Sequence, residues 1–478
     1  MADTPSTNLP AGFPDASPAR RTVDVAALID ARRMSWFNLA LIALSWLITL
    51  FDGFDQMMIG FTAPYMRDEF HLAKGQIASI VSSGIFGMMI GGFVFSVVAD
   101  RIGRRPTVVF TAFAFGILTA ATALAQSVPM LIAFRFLDGL AIGGMLPLAW
   151  ALNIEFVPRR YRATIVTVIM MGYSAGSALA GPLTNLIAPV HGWRGVYYAG
   201  GIGTLVCATA LLLFLPESLR FLVSRQLGQA RIVALIRRVE PSAPVSESDR
   251  FVLGDEIIAE APFSPRELFT GDLALITPLI WLAYTVSSLA VYFTASWGPL
   301  ILEDLHVARS TAALVSATGG MLGACAGLAI MRVTDRFGPI SVAIYPALAV
   351  PALLLLGLGL LPVSWLLPAV VVGGILVSGG HFGILSICGI YYPSAIRASG
   401  AGWATSVAKV GGVLGPIAGA LVLSSGLPIL NAYAVLAVCP VILGVSALAI
   451  ARVVARRKLA HADAAEAAEL EAREPLPA

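Results

Sequence analysis

The sequence predicts an all-α membrane protein: twelve transmembrane helices in two pseudo-symmetric six-helix bundles, with both termini cytoplasmic. Composition, the spacing of apolar runs and an internal repeat at one offset predict it. Of 478 residues 58% are hydrophobic and 12% charged, with a mean hydropathy of +0.84. Soluble chains are about 25% charged, so a water-soluble enzyme is excluded. The net charge of +3 does not point to nucleic acid, because the basic residues fall in short loops rather than on one face.

In chain order, residues 1–36 are polar and Pro-rich and carry no apparent cleavable signal, so they read as a cytoplasmic segment. A helix needs about 20 apolar residues to cross the hydrocarbon. Runs of that kind occupy 37–63, 76–99, 106–125, 130–153, 163–188 and 195–215, then 273–300, 310–333, 340–360, 365–391, 398–425 and 429–453. The one long polar stretch, 216–272, divides a first bundle at 37–215 from a second at 273–453, and 454–478 is a polar tail. With both termini inside, the inner segments hold 25 of the 31 Lys and Arg residues and the outer loops hold four, Arg67, Lys74, Arg194 and Arg309. That asymmetry sets the orientation. Cys207, Cys325, Cys388 and Cys439 lie inside apolar runs without CxxC spacing. They read as small core residues, with neither a disulfide framework nor a metal site expected.

The two halves repeat. Asp100-Arg101-Ile102-Gly103 recurs as Asp335-Arg336-Phe337-Gly338, Pro158 with Arg162-Ala163 recurs as Pro393 with Arg397-Ala398, and Gly84 and Gly92 recur as Gly319 and Gly327, all at an offset of 235. One offset at three places predicts homologous bundles related by an axis along the membrane normal, with a central site between them.

These residues carry a resemblance that covers nearly the whole chain. Ala99-Asp100-Arg101-Ile102-Gly103-Arg104-Arg105 resembles the cytoplasmic loop signature of the major facilitator superfamily, and Pro216-Glu217-Ser218 resembles the motif that often follows its sixth helix. Asp52-Gly53-Phe54-Asp55, together with Tyr392-Pro393-Ser394-Ala395-Ile396-Arg397-Ala398-Ser399-Gly400, resembles the aromatic acid:proton symporter family. The resemblance implies a secondary active transporter that imports a small organic acid anion, most of all an aromatic carboxylate, with protons by alternating access. It implies an inner-membrane protein of bacterial type, with no cofactor, whose partners are the acid, protons and the lipid bilayer; a monomer is expected.

The offset also sorts the charges. Asp100, Arg101 and Arg162 repeat as Asp335, Arg336 and Arg397. With Arg104 they sit at cytoplasmic helix ends, where gate contacts would form and separate. Gly103 and Gly338 would permit tight turns. Asp100 and Asp335 could face helix N-termini or arginines across the bundle. In the family such contacts are thought to hold the inner gate shut, with Glu155 a partner for the loop arginines.

Other charges do not repeat: Asp52, Asp55, Arg135 and Asp138 map onto Ser287, Ala290, Val370 and Gly373, and Lys409 and His381 onto Ser174 and Leu146. An unpaired charge at the bilayer centre costs about 2.5–3.5 kcal/mol. These groups must therefore pair, face water or bind something. Helix rise places Asp52 and Asp55 at a depth similar to that of Arg135 and Asp138, and each pair is spaced i to i+3. A cluster of three carboxylates and one guanidinium is expected, in which like charges and low dielectric favour the neutral form of at least one acid. Asp55 or Asp52 would bind the proton, with Arg135 and Asp138 tuning it. The resemblance favours both aspartates, whereas Asp138 departs from its usual neutral residue.

Lys409, roughly 17 Å into its helix, is placed to meet a substrate carboxylate. The family commonly carries arginine there, so the charge is kept but the bidentate fork is lost. His381 could donate to a substrate hydroxyl or carboxylate, and Tyr292 and Trp403 could stack on an aromatic ring. The same fold and carboxylates would also serve a proton-coupled exporter of drugs or metabolites. No nucleophile and base pairing, phosphate loop or metal motif points to an enzyme.

Overall fold

The computed structural model describes residues 21–254, 264–392 and 397–471. Strand β1 (Thr22–Asp24) and helix α1 (Val25–Ala31) precede five helices, α2 (Trp36–Phe70), α3 (Lys74–Ile102), α4 (Arg104–Thr122), α5 (Val128–Glu155) and α6 (Arg159–Phe214). Two short helices, α7 (Leu219–Ser224) and α8 (Gln229–Val239), and strand β2 (Arg250–Val252) follow. The second half holds α9 (Leu273–Asp304), α10 (Arg309–Phe337), α11 (Ile344–Gly357), α12 (Leu366–Tyr391), α13 (Arg397–Ser424), α14 (Asn431–Leu436) and α15 (Val438–Glu471). The apolar runs read from the sequence fall on these helices, with 163–188 and 195–215 both on α6 and 429–453 divided between α14 and α15. Among the described residues ten helices are long and apolar enough to cross a membrane.

At 56 residues α6 would be far longer than the roughly 30 Å hydrocarbon core requires. It breaks at Gly192, whose φ of 66° leaves the helical region, and the expected segments at 163–188 and 195–215 lie on either side. The last helix, in contrast, runs on past the expected end at 453 as far as Glu471.

Packing follows the repeat. In the first half α2 lies against α6 and α3 against α5; in the second α9 lies against α13 and α10 against α12. The halves meet where α3 contacts α13, α6 contacts α10 and α2 contacts α9. The duplicated glycines behave alike: Gly103 (φ 110°) and Gly338 (φ 76°) both end a helix in the left-handed region, and their N–H groups donate to Ala99 O (3.0 Å) and Thr334 O (2.8 Å).

The described part of the polar stretch after α6 is folded. β1 pairs in parallel with β2, Val23 opposite Phe251, and Asp24 caps α1 while accepting from Gly254 N at 2.9 Å. α8 buries Ile232, Val233, Leu235, Ile236 and Val239 in a cluster shared with Val25, Ile29, Leu219 and Leu222. This unit covers one end of the first half, hereafter the linker end.

Gly53 permits a close approach of α2 and α6, since a β-carbon there would overlap the Tyr173 carbonyl. Gly53→Ala is expected to force the helices apart at about 1–3 kcal/mol, measured as a lowered Tm in detergent.

Candidate functional site

The expected cluster of four buried charges divides in two. Arg135 on α5 donates through Nη1 to Asp55 Oδ1 on α2 (2.9 Å) and to Asp138 Oδ2 one turn further along α5 (2.7 Å). Thr119 on α4 donates to Asp138 Oδ1 at 3.1 Å. All three charged groups are buried. The network thus ties α2, α4 and α5 together.

Asp52 does not join it. One helical turn before Asp55, it faces the space between the halves. It is fully buried, and neither carboxylate oxygen has a hydrogen-bond partner. It sits in the wall of a cavity of about 360 Å³ shared by both halves, whose lining includes Tyr173, Tyr284, Tyr292, His381 and Lys409. That volume lies in the range of small-molecule sites, about 300–1,000 Å³. Tyr173 is held beside Asp52 by the Gly53 contact.

Lys409 arises from α13 but reaches the first half, its Nζ 3.8 Å from where a β-carbon on Gly92 of α3 would stand. Among the described residues no carboxylate lies within ion-pair distance of it. His381 on α12 shares a hydrogen bond of 3.0 Å between Nδ1 and Ser287 Oγ, and its ring centroid is 5.1 Å from that of Tyr284. The cavity wall therefore offers one cation, one lone carboxyl, an imidazole and tyrosine rings, which suits a flat anion with a polar substituent.

Trp403 is a correction to the sequence reading. It does not line the cavity; it stacks on Trp281, ring centroids 6.1 Å apart and 14° from parallel, and is 40% exposed. Both are amphipathic rings near the linker end of their helices, where an indole is placed as an interfacial anchor. Tyr292, in contrast, does reach the cavity.

At the linker end, Arg104 forms an ion pair with Glu155, which also accepts from Ser218 Oγ at 2.6 Å. Glu217, rather than Asp100, sits at the N-terminus of α4, where Oε1 accepts from Arg104 N (3.0 Å) and Arg105 N (3.1 Å). This is the favourable place for a carboxylate on the helix dipole. A β-carbon at Gly103 would lie 2.6 Å from Glu217 Oε2. Asp100 contributes its carbonyl, which accepts from Arg225 at 3.0 Å, and Arg162 Nε donates to Val157 O at 3.2 Å. Arg101 is exposed, and the Arg336 guanidinium lies over the Phe337 ring, 5.4 Å from its centroid. The side chains of Asp335 and Arg397 lie outside the described residues.

Sequence reasoning missed Tyr173, Thr119, Ser287 and the role of Glu217. Glu217 was visible within Pro216-Glu217-Ser218; the other three are single hydroxyl residues in apolar helices, with no spacing that marks them.

The chain is 31% identical over 448 residues to a 4-hydroxybenzoate transporter, PcaK, of Pseudomonas aeruginosa, covering 94% of this chain and 98% of that one. It is 31% identical over 417 residues to a gallate transporter of Pseudomonas putida, covering 86% and 91%. Its fold matches that of a bacterial homolog of the human lysosomal transporter Spinster with a TM-score of 0.66 at 17% identity, covering 88% of this chain and 98% of that one. A sequence model of the Major Facilitator Superfamily matches residues 45–416. The chain is an integral membrane transport protein that belongs to the major facilitator superfamily.

Proposed function

We propose that the protein imports an aromatic carboxylate together with a proton, by alternating access of the central cavity to the two sides of a bacterial plasma membrane. Twelve crossings in two six-helix bundles, with both termini and the linker end in the cytoplasm, follow from the apolar runs and the arginine asymmetry. The relatives named for 4-hydroxybenzoate and gallate support the substrate class.

The observation that carries the reading is the isolation of Asp52 at a cavity wall that also presents Lys409. Asp55 and Asp138 already share Arg135, which offsets one of their two charges and gives each carboxylate an ion-pair partner. Asp52 has no such partner, and a lone buried carboxylate is relieved by taking up a proton. Lys409 supplies the cation for a substrate carboxylate from the opposite half. Asp52 is therefore the proton carrier, Lys409 the anion site, and the Arg135 network the frame that keeps α2 in place.

Charge balance favours one proton per anion. The empty site with Asp52 ionised carries one net negative charge over Asp52, Asp55, Asp138, Arg135 and Lys409. The loaded site, with Asp52 protonated and a monoanion beside Lys409, carries the same. Anion alone gives two negative charges and proton alone gives none. The two states that must reorient for net symport are thus matched in buried charge, while the half-loaded states differ from them. At the linker end, the Arg104, Glu155 and Glu217 contacts stiffen the first half as a rigid body, with Asp100, Arg101, Gly103, Arg162, Asp335, Arg336 and Arg397 in gating roles.

Three outcomes test this in proteoliposomes and in detergent. Aromatic carboxylates should drive proton entry, and Asp52→Asn should abolish that entry while retaining exchange of labelled for unlabelled substrate; substrate-evoked proton influx surviving in Asp52→Asn would reject the assignment. Asp55→Asn should instead lower thermal stability, because breaking a buried ion pair costs about 3–5 kcal/mol, whereas Asp52→Asn should leave Tm nearly unchanged. Lys409→Gln should raise KM for carboxylates roughly ten- to hundredfold, the range for losing a hydrogen bond to a charged group, and Lys409→Arg should recover most of it.

A further inference from the structure

The end of the bundle opposite the linker carries a second duplication. Asp68-Glu69-Phe70-His71-Leu72-Ala73-Lys74 aligns with Glu303-Asp304-Leu305-His306-Val307-Ala308-Arg309 at the same offset of 235. Both segments turn the same corner. His71 (φ 50°) and His306 (φ 63°) take the left-handed conformation that closes α2 and α9. The next residues bond back alike, Leu72 N to Arg67 O at 3.2 Å and Val307 N to Leu302 O at 3.0 Å, as in a Schellman cap.

The two corners meet across the boundary between the halves, and their charges cross it. Arg309 Nη2 donates to Asp68 Oδ2 at 2.8 Å, and it also pairs with Glu303 on its own side. Arg67 donates to Asp304 Oδ1 at 2.9 Å and lies 3.4 Å from Glu303 Oε1. The Arg309 guanidinium stacks on Tyr65 of α2, 4.4 Å from the ring centroid. Two further bonds cross nearby, Lys74 Nζ to Leu423 O (2.5 Å) and Asn185 Nδ2 to Ser310 O (2.8 Å).

The duplicated copies are not used symmetrically. Lys74, the counterpart of Arg309, turns to α13, and Glu69, the counterpart of Asp304, is held by Arg194 and Trp193. Arg67, whose counterpart is the neutral Leu302, pairs with Asp304 and shares Glu303 with Arg309. Every group in the crossing network keeps part of its side chain in solvent, from 18% for Glu303 to 57% for Asp68. Such pairs are individually weak. A set of them can hold two bodies together and still be broken in one rigid movement.

We propose that Arg67, Asp68, Glu303, Asp304 and Arg309 form the outer gate: an ion-pair latch between the two duplicated corners that closes the cavity to the outside and must separate for substrate to enter. The proposal rests on the alternating-access reading and orientation given above. Its test needs no substrate, so failure to identify a transported acid and failure of the gate are distinguishable.

The test uses full-length protein with its four native cysteines replaced by serine and one reporter, Val315→Cys, in the cavity wall. The rate of modification by a membrane-impermeant maleimide is measured from the outside in oriented vesicles. Arg67→Gln with Arg309→Gln should raise the rate about three- to tenfold, the order expected from losing a few half-exposed pairs. Raising ionic strength screens such pairs, so the rate in the reporter parent should climb with salt while that of the double variant stays flat. Equal rates in parent and double variant, or parallel salt dependence in both, would overturn the gate. The salt series on the parent stands by itself if the double variant does not fold.

Discussion

A guanidinium buried inside a membrane protein must be compensated, and around Arg135 that requirement organises the first half. Its Nη1 engages Asp55 and Asp138 together, and Thr119 satisfies part of the second carboxylate. Breaking such a set leaves a buried ion without a partner, which costs far more than the pair contributes when intact. The network therefore fixes where α2 stands against α4 and α5. It also engages Arg135, so the remaining acid, Asp52, is left facing the cavity that Lys409 lines.

The four residues Asp52-Gly53-Phe54-Asp55 show how one helical turn serves several purposes. Successive residues point about 100° apart around a helix of 3.6 residues per turn. Asp52 reaches the cavity wall, Gly53 admits the Tyr173 backbone, Phe54 packs near Gly200 on the returning limb of α6, and Asp55 meets Arg135. The motif was legible as unusual because two carboxylates in an apolar run are costly. Its division of labour was not legible. Spacing i to i+3 allows both aspartates to share a face, but whether they do depends on how α2 is rotated against its neighbours, and only packed neighbours set that rotation.

The same distinction runs through the rest of the chain. Apolar runs and the offset of 235 reveal helices because lipid demands length and duplication preserves turns; Gly103 and Gly338 keep the same backbone conformation. What stayed hidden depends on contacts between segments distant in sequence. The parallel pairing of residues 22–24 with 250–252 joins two polar stretches whose short strands have no periodicity long enough to read. Trp403 carries an aromatic ring in a helix that lines the site, yet its position on the helix turns it to Trp281. Glu217 takes the α4 N-terminus because the chain returns there after α6, which no local pattern near Asp100 announces.

Symmetric scaffold and asymmetric chemistry are therefore two answers to one problem. A duplicated bundle gives two bodies of matching shape that can rock against each other, and charges kept in both copies lie at helix ends, where water and the opposite dipole end stabilise them. A charge at mid-depth has no such help, so it survives only where a partner or a ligand compensates it. Two copies of Asp52 or Lys409 would double the buried charge without adding a second cavity, since both halves share the same one. A single lysine suits this position. Its ammonium is a compact point charge on a flexible stem and accepts a carboxylate from more than one direction, whereas a guanidinium fork binds best in one plane. In the proposed cycle a cation that spans from α13 to the first half has to keep contact as the halves move, and freedom of approach is then worth more than bidentate grip.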